Sequence, residues 1–165
     1  MGQIVFPPKM IELLGPTVFL AGPIKGSERW QDKAIEYLSQ KAPNLNIASP
    51  RRSLDRAKDY TENDYISQVE WESHYLRQSA KNGVILFWFA KETTHYCERP
   101  FARTTRIEFG EWMAHHDIEG IKLVVGFEAG FDGDKYIRHR LKNYPEVKVA
   151  EKLQTALDFA IKMSS

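Results

Sequence analysis

Six consecutive apolar residues, Val84-Ile85-Leu86-Phe87-Trp88-Phe89, follow Asn82-Gly83 near the middle of the chain. A strand that alternates polar and apolar side chains wets one face, whereas a run with no polar residue must be covered on both. Helices on the two faces of a parallel sheet supply that cover. The run therefore constrains the chain to an α/β sandwich with Val84 to Phe89 as a central strand.

The flanking sequence fits this frame. Thr17 to Ala21 reads as a strand stopped by Gly22-Pro23, and Asn46 to Ser49 as a short one stopped by Pro50. Between them, Ser27 is the expected cap of a helix whose Trp30, Ala34, Ile35 and Leu38 share one face, ending by Pro43. Arg51 to Asp64 reads as a loop, and Tyr65, Val69, Trp71, Leu76 and Ala80 suit a helix ending near Asn82-Gly83. After a loop from Lys91 to Arg103 comes a helix with Trp112, then a strand at Ile121 to Val125 and a helix at Tyr136 to Lys142. A strand at Val147 to Val149 and a helix from Glu151 to Met163 close the pattern. The expectation is one domain over residues 1–165, a doubly wound sandwich on a five-stranded parallel sheet.

Composition narrows the partners. With 23 Lys and Arg against 22 Asp and Glu, the formal charge is +1, which gives no global field to draw in nucleic acid or an anionic membrane. The only cysteine, Cys97, leaves no internal disulfide, and no apolar run is long enough to span a bilayer. Met1 to Pro16 lacks the basic start and apolar stretch of a signal peptide, so the expected location is cytoplasmic. Gly22-x-x-x-Gly26 has neither the three-glycine dinucleotide fingerprint nor the Lys-Ser/Thr of a P-loop. His95, Cys97 and Glu98 have no second ligand pair, and His115-His116 suits the negative end of a helix. Neither a cofactor nor a metal is expected.

Ligands on open parallel sheets bind beyond the carboxyl ends of the strands, where strand order reverses. The candidate loops are those after Ala21, Ser49 and Phe89, the last of which delivers the chain to Thr104-Thr105-Arg106-Ile107-Glu108-Phe109-Gly110. Glu108 there has two readings. With Thr105 as N-cap it completes a capping box in the first helical turn, or it is a reactive carboxylate.

Phe19-Leu20-Ala21-Gly22-Pro23-Ile24, the Trp71-Glu72 pair, Leu86-Phe87-Trp88-Phe89 and Glu108-Phe109-Gly110 resemble, in the same order, the nucleoside 2-deoxyribosyltransferase family. The likeness is greatest to its divergent deoxyribosyltransferase-like branch. The resemblance implies a flavodoxin-like fold that cleaves the N-glycosidic bond of a deoxynucleoside and passes the sugar to another nucleobase. It implies Glu108 as the nucleophile. Attack of a carboxylate on the anomeric carbon gives a glycosyl ester, and a second displacement restores the configuration, so retention is expected. It also implies Glu72 as proton donor to the departing base, with Glu70 as runner-up. Phe19, Trp88 and Phe89 are candidates to sandwich the base, with Trp71 beside the donor; Gly22, Pro23 and Ile24 would bring backbone close to sugar or base. Lys25, Arg29, Arg51 and Arg52 are possible phosphate partners.

Two positions depart from the family pattern. Ala102 and Phe19 stand where the better-known transferases carry an Asp and a Tyr, and Arg103 and Arg106 flank the acidic turn instead. Arg106 is thus a candidate to steer a phosphate or hold Glu108 ionised. Three functions stay open: a deoxynucleoside transferase, an N-glycosidase of nucleosides or nucleotide 5′-monophosphates with water as acceptor, and a non-catalytic nucleotide sensor. The family also implies homodimers or larger homo-oligomers, with the Trp112 helix or the segment holding Tyr136 and Tyr144 as candidate surfaces.

Overall fold

The computed structural model describes residues 1–52 and 61–164. Six parallel strands alternate with five helices: β1 (Ile4–Val5), β2 (Thr17–Ala21), α1 (Trp30–Lys41), β3 (Asn46–Ala48), α2 (Glu62–Asn82), β4 (Gly83–Phe89), α3 (Arg103–Glu119), β5 (Leu123–Phe127), α4 (Asp134–Leu141), β6 (Lys148–Ala150) and α5 (Leu153–Ser164). The sheet order is β1-β3-β2-β4-β5-β6, one strand more than the five expected. The extra strand is β1, two residues that pair Ile4 with Ile47 and Val5 with Ala48. Without β1 the remaining order reads 2-1-3-4-5, as in flavodoxin-like sandwiches.

All seven residues of β4 are buried, as their uninterrupted apolar run requires. Alternation sorts the strand side chains between two cores. Phe19, Ala21, Ile85, Phe87, Phe89, Val125 and Phe127 face a core shared with Trp71, Tyr75, Phe109 and Trp112 of α2 and α3. Val18, Leu20, Val84, Leu86, Trp88 and Val124 face the opposite core with Trp30 and Leu38 of α1 and Leu157 of α5. Adjacent residues of one strand cannot share a face, so Trp88 and Phe89 point to opposite sides of the sheet.

The N-terminal segment has a structural role that its sequence does not announce. Beyond β1 it runs along α2, where Lys9 O accepts from Trp71 Nε1 at 2.8 Å and Leu13 O accepts from Gln78 Nε2 at 2.7 Å. Tyr75 Oη both donates to Ile11 O and accepts from Ile11 N, each at 2.9 Å. Leu13 is itself buried against the α2 core.

Three helix starts differ from expectation. Ser27 does not cap α1, which begins at Trp30; its hydroxyl donates to Pro23 O at 2.8 Å and so folds the β2–α1 turn. Most of the loop expected over Arg51 to Asp64 lies outside the described residues, and from Glu62 onward the chain is already α2. Helix α3 begins at Arg103, following Ala102 in the left-handed conformation, with no side-chain cap. Thr105 is therefore inside the helix and Glu108 beyond its first turn, so the capping-box reading of this pair is overturned. His116 is buried at the end of α3, with Nδ1 2.6 Å from Ile121 O and Nε2 2.8 Å from Glu146 Oε1. No described helix is long and apolar enough to cross a membrane.

Candidate functional site

Strand order reverses between β2 and β4, whose following loops leave the sheet in different directions. A cavity of about 770 Å³ opens there, walled by Gly22 to Ser27 after β2, Pro50 to Arg52 after β3, the first half of α2, and the chain from Glu92 to Glu108. The loop after β4 crosses the β2–α1 turn: Thr93 N donates to Gly26 O at 2.7 Å, and Lys25 Nζ stands 4.3 Å from the Tyr96 ring centre. Gly22 is a packing requirement, because a Cβ on it would come within 2.3 Å of Trp88 O and 2.6 Å of the Trp30 ring. Only glycine lets the β2–α1 turn pass this close to β4.

Two carboxyls meet in this cavity. Glu72 comes from α2 and Glu108 from α3, helices that lie on the same face of the sheet. The two carboxyls are near enough that each shifts the other's titration, and one proton between them relieves the repulsion of two buried charges. Burial pushes the Glu108 carboxyl well above the usual range, reinforced by the charge of Glu72, the bond to Glu72 and the charge of Glu111. Burial also raises Glu72, against hydrogen bonds from Gln68 and Glu108 that favour its charged form. The pair thus behaves as an acid and its conjugate base sharing one proton.

Behind Glu72 the network continues. Gln68 Nε2 donates to Glu72 Oε1 at 2.7 Å and to Pro50 O at 2.8 Å, and Gln68 Oε1 accepts from Arg52 Nε at 3.0 Å. Arg52 Nη1 also meets Asp64 Oδ1 at 3.1 Å. Sequence reasoning passed over Gln68, although its spacing of four from Glu72 puts both on one helix face.

Charged side chains gather at the cavity wall, where Lys25, Arg29 and Arg52 are paired with Glu98, Asp32 and Asp64. Among the described residues, six cations line it, Lys25, Arg29, Arg51, Arg52, Arg99 and Arg103, against three carboxyls, Glu72, Glu92 and Glu108. Arg51 is held by Glu28 O at 2.7 Å and Gln31 Oε1 at 3.2 Å, while its buried Nε has no partner among the described residues. Thr105 is 5% exposed and faces the cavity beside the uncapped start of α3.

The structure separates the other candidate residues. Phe19, Gly22, Pro23 and Ile24 line the cavity. Trp71, Trp88 and Phe89 do not. Trp71 packs against Phe19 and Tyr75 in the α2 core, Trp88 lies on the far side of the sheet against Gly126, and Phe89 stacks on Phe127 at 5.1 Å between ring centres. Arg106 also points away, donating to Asp132 O at 2.7 Å with its guanidinium 4.8 Å from the Phe131 ring centre. Two residues along a helix do not share a face, so Arg106 could not accompany Glu108. Glu70 is exposed and off the cavity. The rings that do line the cavity besides Phe19 are Tyr65, Tyr96 and Phe101, from α2 and the loop after β4. Of the candidate association surfaces, Trp112 is buried in the core and Tyr144 packs on it, leaving Tyr136 exposed.

A parallel α/β sheet with helices on both faces, carrying a paired-carboxyl cavity at its switch point, defines the class of this protein. The nucleoside 2-deoxyribosyltransferase-like family model matches residues 15–125, and the chain belongs to that family. The match spans β2 through most of β5 and so contains Gly22, Glu72 and Glu108, but not β1 or the three elements after β5. No curated protein matches the sequence.

Proposed function

We propose that the protein is a nucleoside 2-deoxyribosyltransferase that works through a covalent sugar ester on Glu108. The observation that carries this reading is the buried Glu72–Glu108 pair lining the cavity at the switch point, because one proton on two carboxyls is what this reaction needs. With the proton on Glu72, Glu108 is free to attack C1′. The C1′–Oε bond forms as the N-glycosidic bond breaks, and the electron pair leaves with the base, which takes the proton from Glu72. An acceptor base then attacks the opposite face of C1′, releasing Glu108 as a carboxylate and returning a proton to Glu72.

Carboxyls that share a proton stand closer than the ~5–5.5 Å of a retaining pair with sugar between them. Substrate entry must therefore part them, exchanging their mutual bond for contacts to base and sugar. Phe19, Tyr96 and Phe101 offer flat apolar surface to the base, and the turn at Gly22-Pro23-Ile24 offers backbone to the sugar.

A second reading has its own support. Arg51, Arg99 and Arg103 on the cavity wall, together with Thr105 at the uncapped start of α3, suit a 5′-monophosphate, with water in place of the acceptor base. Intact-protein mass spectrometry with deoxynucleosides and their 5′-monophosphates, with wild type and Glu108→Ala and chromatography of the released base, tests both. A deoxyribosyl adduct confined to wild type, with base exchange, is the expected result. Release only from the monophosphates and without exchange would select the hydrolase, and neither adduct nor release from any substrate would sink both.

A further inference from the structure

We propose that Gln68 is a positioning residue that decides which of the two site carboxyls carries their shared proton, an inference that rests on the catalytic reading of Glu72 and Glu108. The argument begins with orientation. A glutamine side chain has one accepting and one donating end, and its neighbours determine which faces where. Arg52 Nε can only donate, at 3.0 Å, and Pro50 O can only accept, at 2.8 Å. The amide oxygen must face Arg52, so the NH₂ group must face Glu72, at 2.7 Å. A donor held that way favours the Glu72 carboxylate over its neutral acid.

Two consequences follow for the pair. In the free protein the proton sits on Glu108, which keeps the nucleophile neutral until a nucleoside enters and parts the carboxyls. When the proton does pass to Glu72, the Gln68 donor makes Glu72 a stronger acid toward the departing base. The direction agrees with the environments of the two groups, since Glu111 on α3 adds negative charge beside Glu108 while Arg52 stands behind Gln68 on the Glu72 side. Around them the described charged or titratable groups are Asp64, paired with Arg52, and Tyr65 on α2, Arg103 on α3, Arg29 and Lys25 from the β2–α1 loop, Arg51 after β3, and Glu92, Tyr96 and Arg99 after β4. None of these lies between Gln68 and Glu72.

The test needs no substrate, so its outcome is independent of the reaction. The full chain is labelled with ¹³C at the glutamate carboxyls and titrated by NMR, with Glu72→Gln and Glu108→Gln to assign the two signals. In wild type, at pH between the two steps of the pair, Glu72 should read as carboxylate and Glu108 as acid. Gln68→Met removes the donor without adding charge. It should raise the lower step of the pair by about one pH unit and move the Glu108 signal toward carboxylate. Gln68→Leu, which also removes the donor without adding charge, should shift the step in the same direction and serves if Gln68→Met does not fold. A residue that merely tethered Arg52 would leave both titrations superimposed on wild type, and that result would overturn the proposal. Unmoved titrations with a glycosyl adduct on Glu108 would remove only the Gln68 role; shifted titrations with no adduct would remove only the catalytic reading.

Discussion

Helices α2 and α3 each present a threonine three residues ahead of an acid, Thr61 with Asp64 and Thr105 with Glu108. At α2 the pattern is a cap. Thr61 Oγ1 accepts from Asp64 N at 3.3 Å, and Asp64 Oδ2 accepts from Thr61 N at 2.9 Å. The Thr61 hydroxyl and backbone bonds, with Arg52, hold the Asp64 carboxyl down at about 2. At α3 the same spacing lies inside the helix, which has already begun at Arg103, and Glu108 is displaced from solvent into the cavity. Its carboxyl is pushed in the opposite direction. The difference teaches that a capping pattern becomes a cap only if the threonine is the first residue outside the helix. One turn further in, the same acid is available for chemistry.

The comparison can be broken most sharply at Glu108. Glu108→Gln should leave the protein folded and lower turnover at least about 1,000-fold, measured as base release from the preferred deoxynucleoside. Activity near wild type would return Glu108 to a structural part.

The two acids should also tilt stability in opposite senses with pH. A raised folded-state value means the native protein holds a proton that the unfolded chain has lost, so the Glu108 contribution falls as pH rises above the ordinary 4.5. The slope is at most about 1.4 kcal/mol per pH unit, and Glu108→Gln should flatten it in denaturant melts across that range. Asp64, lowered from 3.8 to about 2, contributes above 3.8 and loses that contribution as pH falls through about 2. Asp64→Asn should therefore flatten the acid limb and leave the neutral slope untouched.

Smaller effects sharpen the contrast between the threonines. Thr61→Ala should cost about 1 kcal/mol in urea unfolding, the usual loss of a helix cap. Thr105→Val should leave stability within about 0.5 kcal/mol of wild type, since its hydroxyl caps nothing and makes no bond among the described residues. Equal losses at both positions would mean that α3 is capped in solution as α2 is.

What could be read from the sequence follows from the length of each signal. Seven buried residues in β4 announced a central strand, and the alternation of strands with helix-period segments fixed the α/β class. Ile4–Val5 is too short to carry a period, and β1 exists because β3 offers it an edge. In the candidate site, Gly22 and Glu108 were legible because each lies in a motif that follows a strand, and Phe19 because it opens the first of those motifs. Trp88 and Phe89 were candidates for the cavity as aromatics and Trp71 as the neighbour of Glu72, yet their chemistry is equally that of a core, and only strand parity tells Trp88 from Phe89. Arg106 shows the same limit in a helix, where a spacing of two from Glu108 turns a side chain to the opposite face. Gln68 was silent because its meaning lies in Arg52 and Pro50, which come near it only through the fold.

All four tryptophans are buried, at 3, 1, 4 and 5% exposure for Trp30, Trp71, Trp88 and Trp112, so the intrinsic fluorescence of this protein reports its interior. Trp71 adds a narrower signal. Its indole proton is closed onto Lys9 O, and Lys9 belongs to the strap that leads from β1 along α2. The exchange rate of that single proton with deuterated solvent is thus a clock for how often the strap lifts from the helix bearing Gln68 and Glu72.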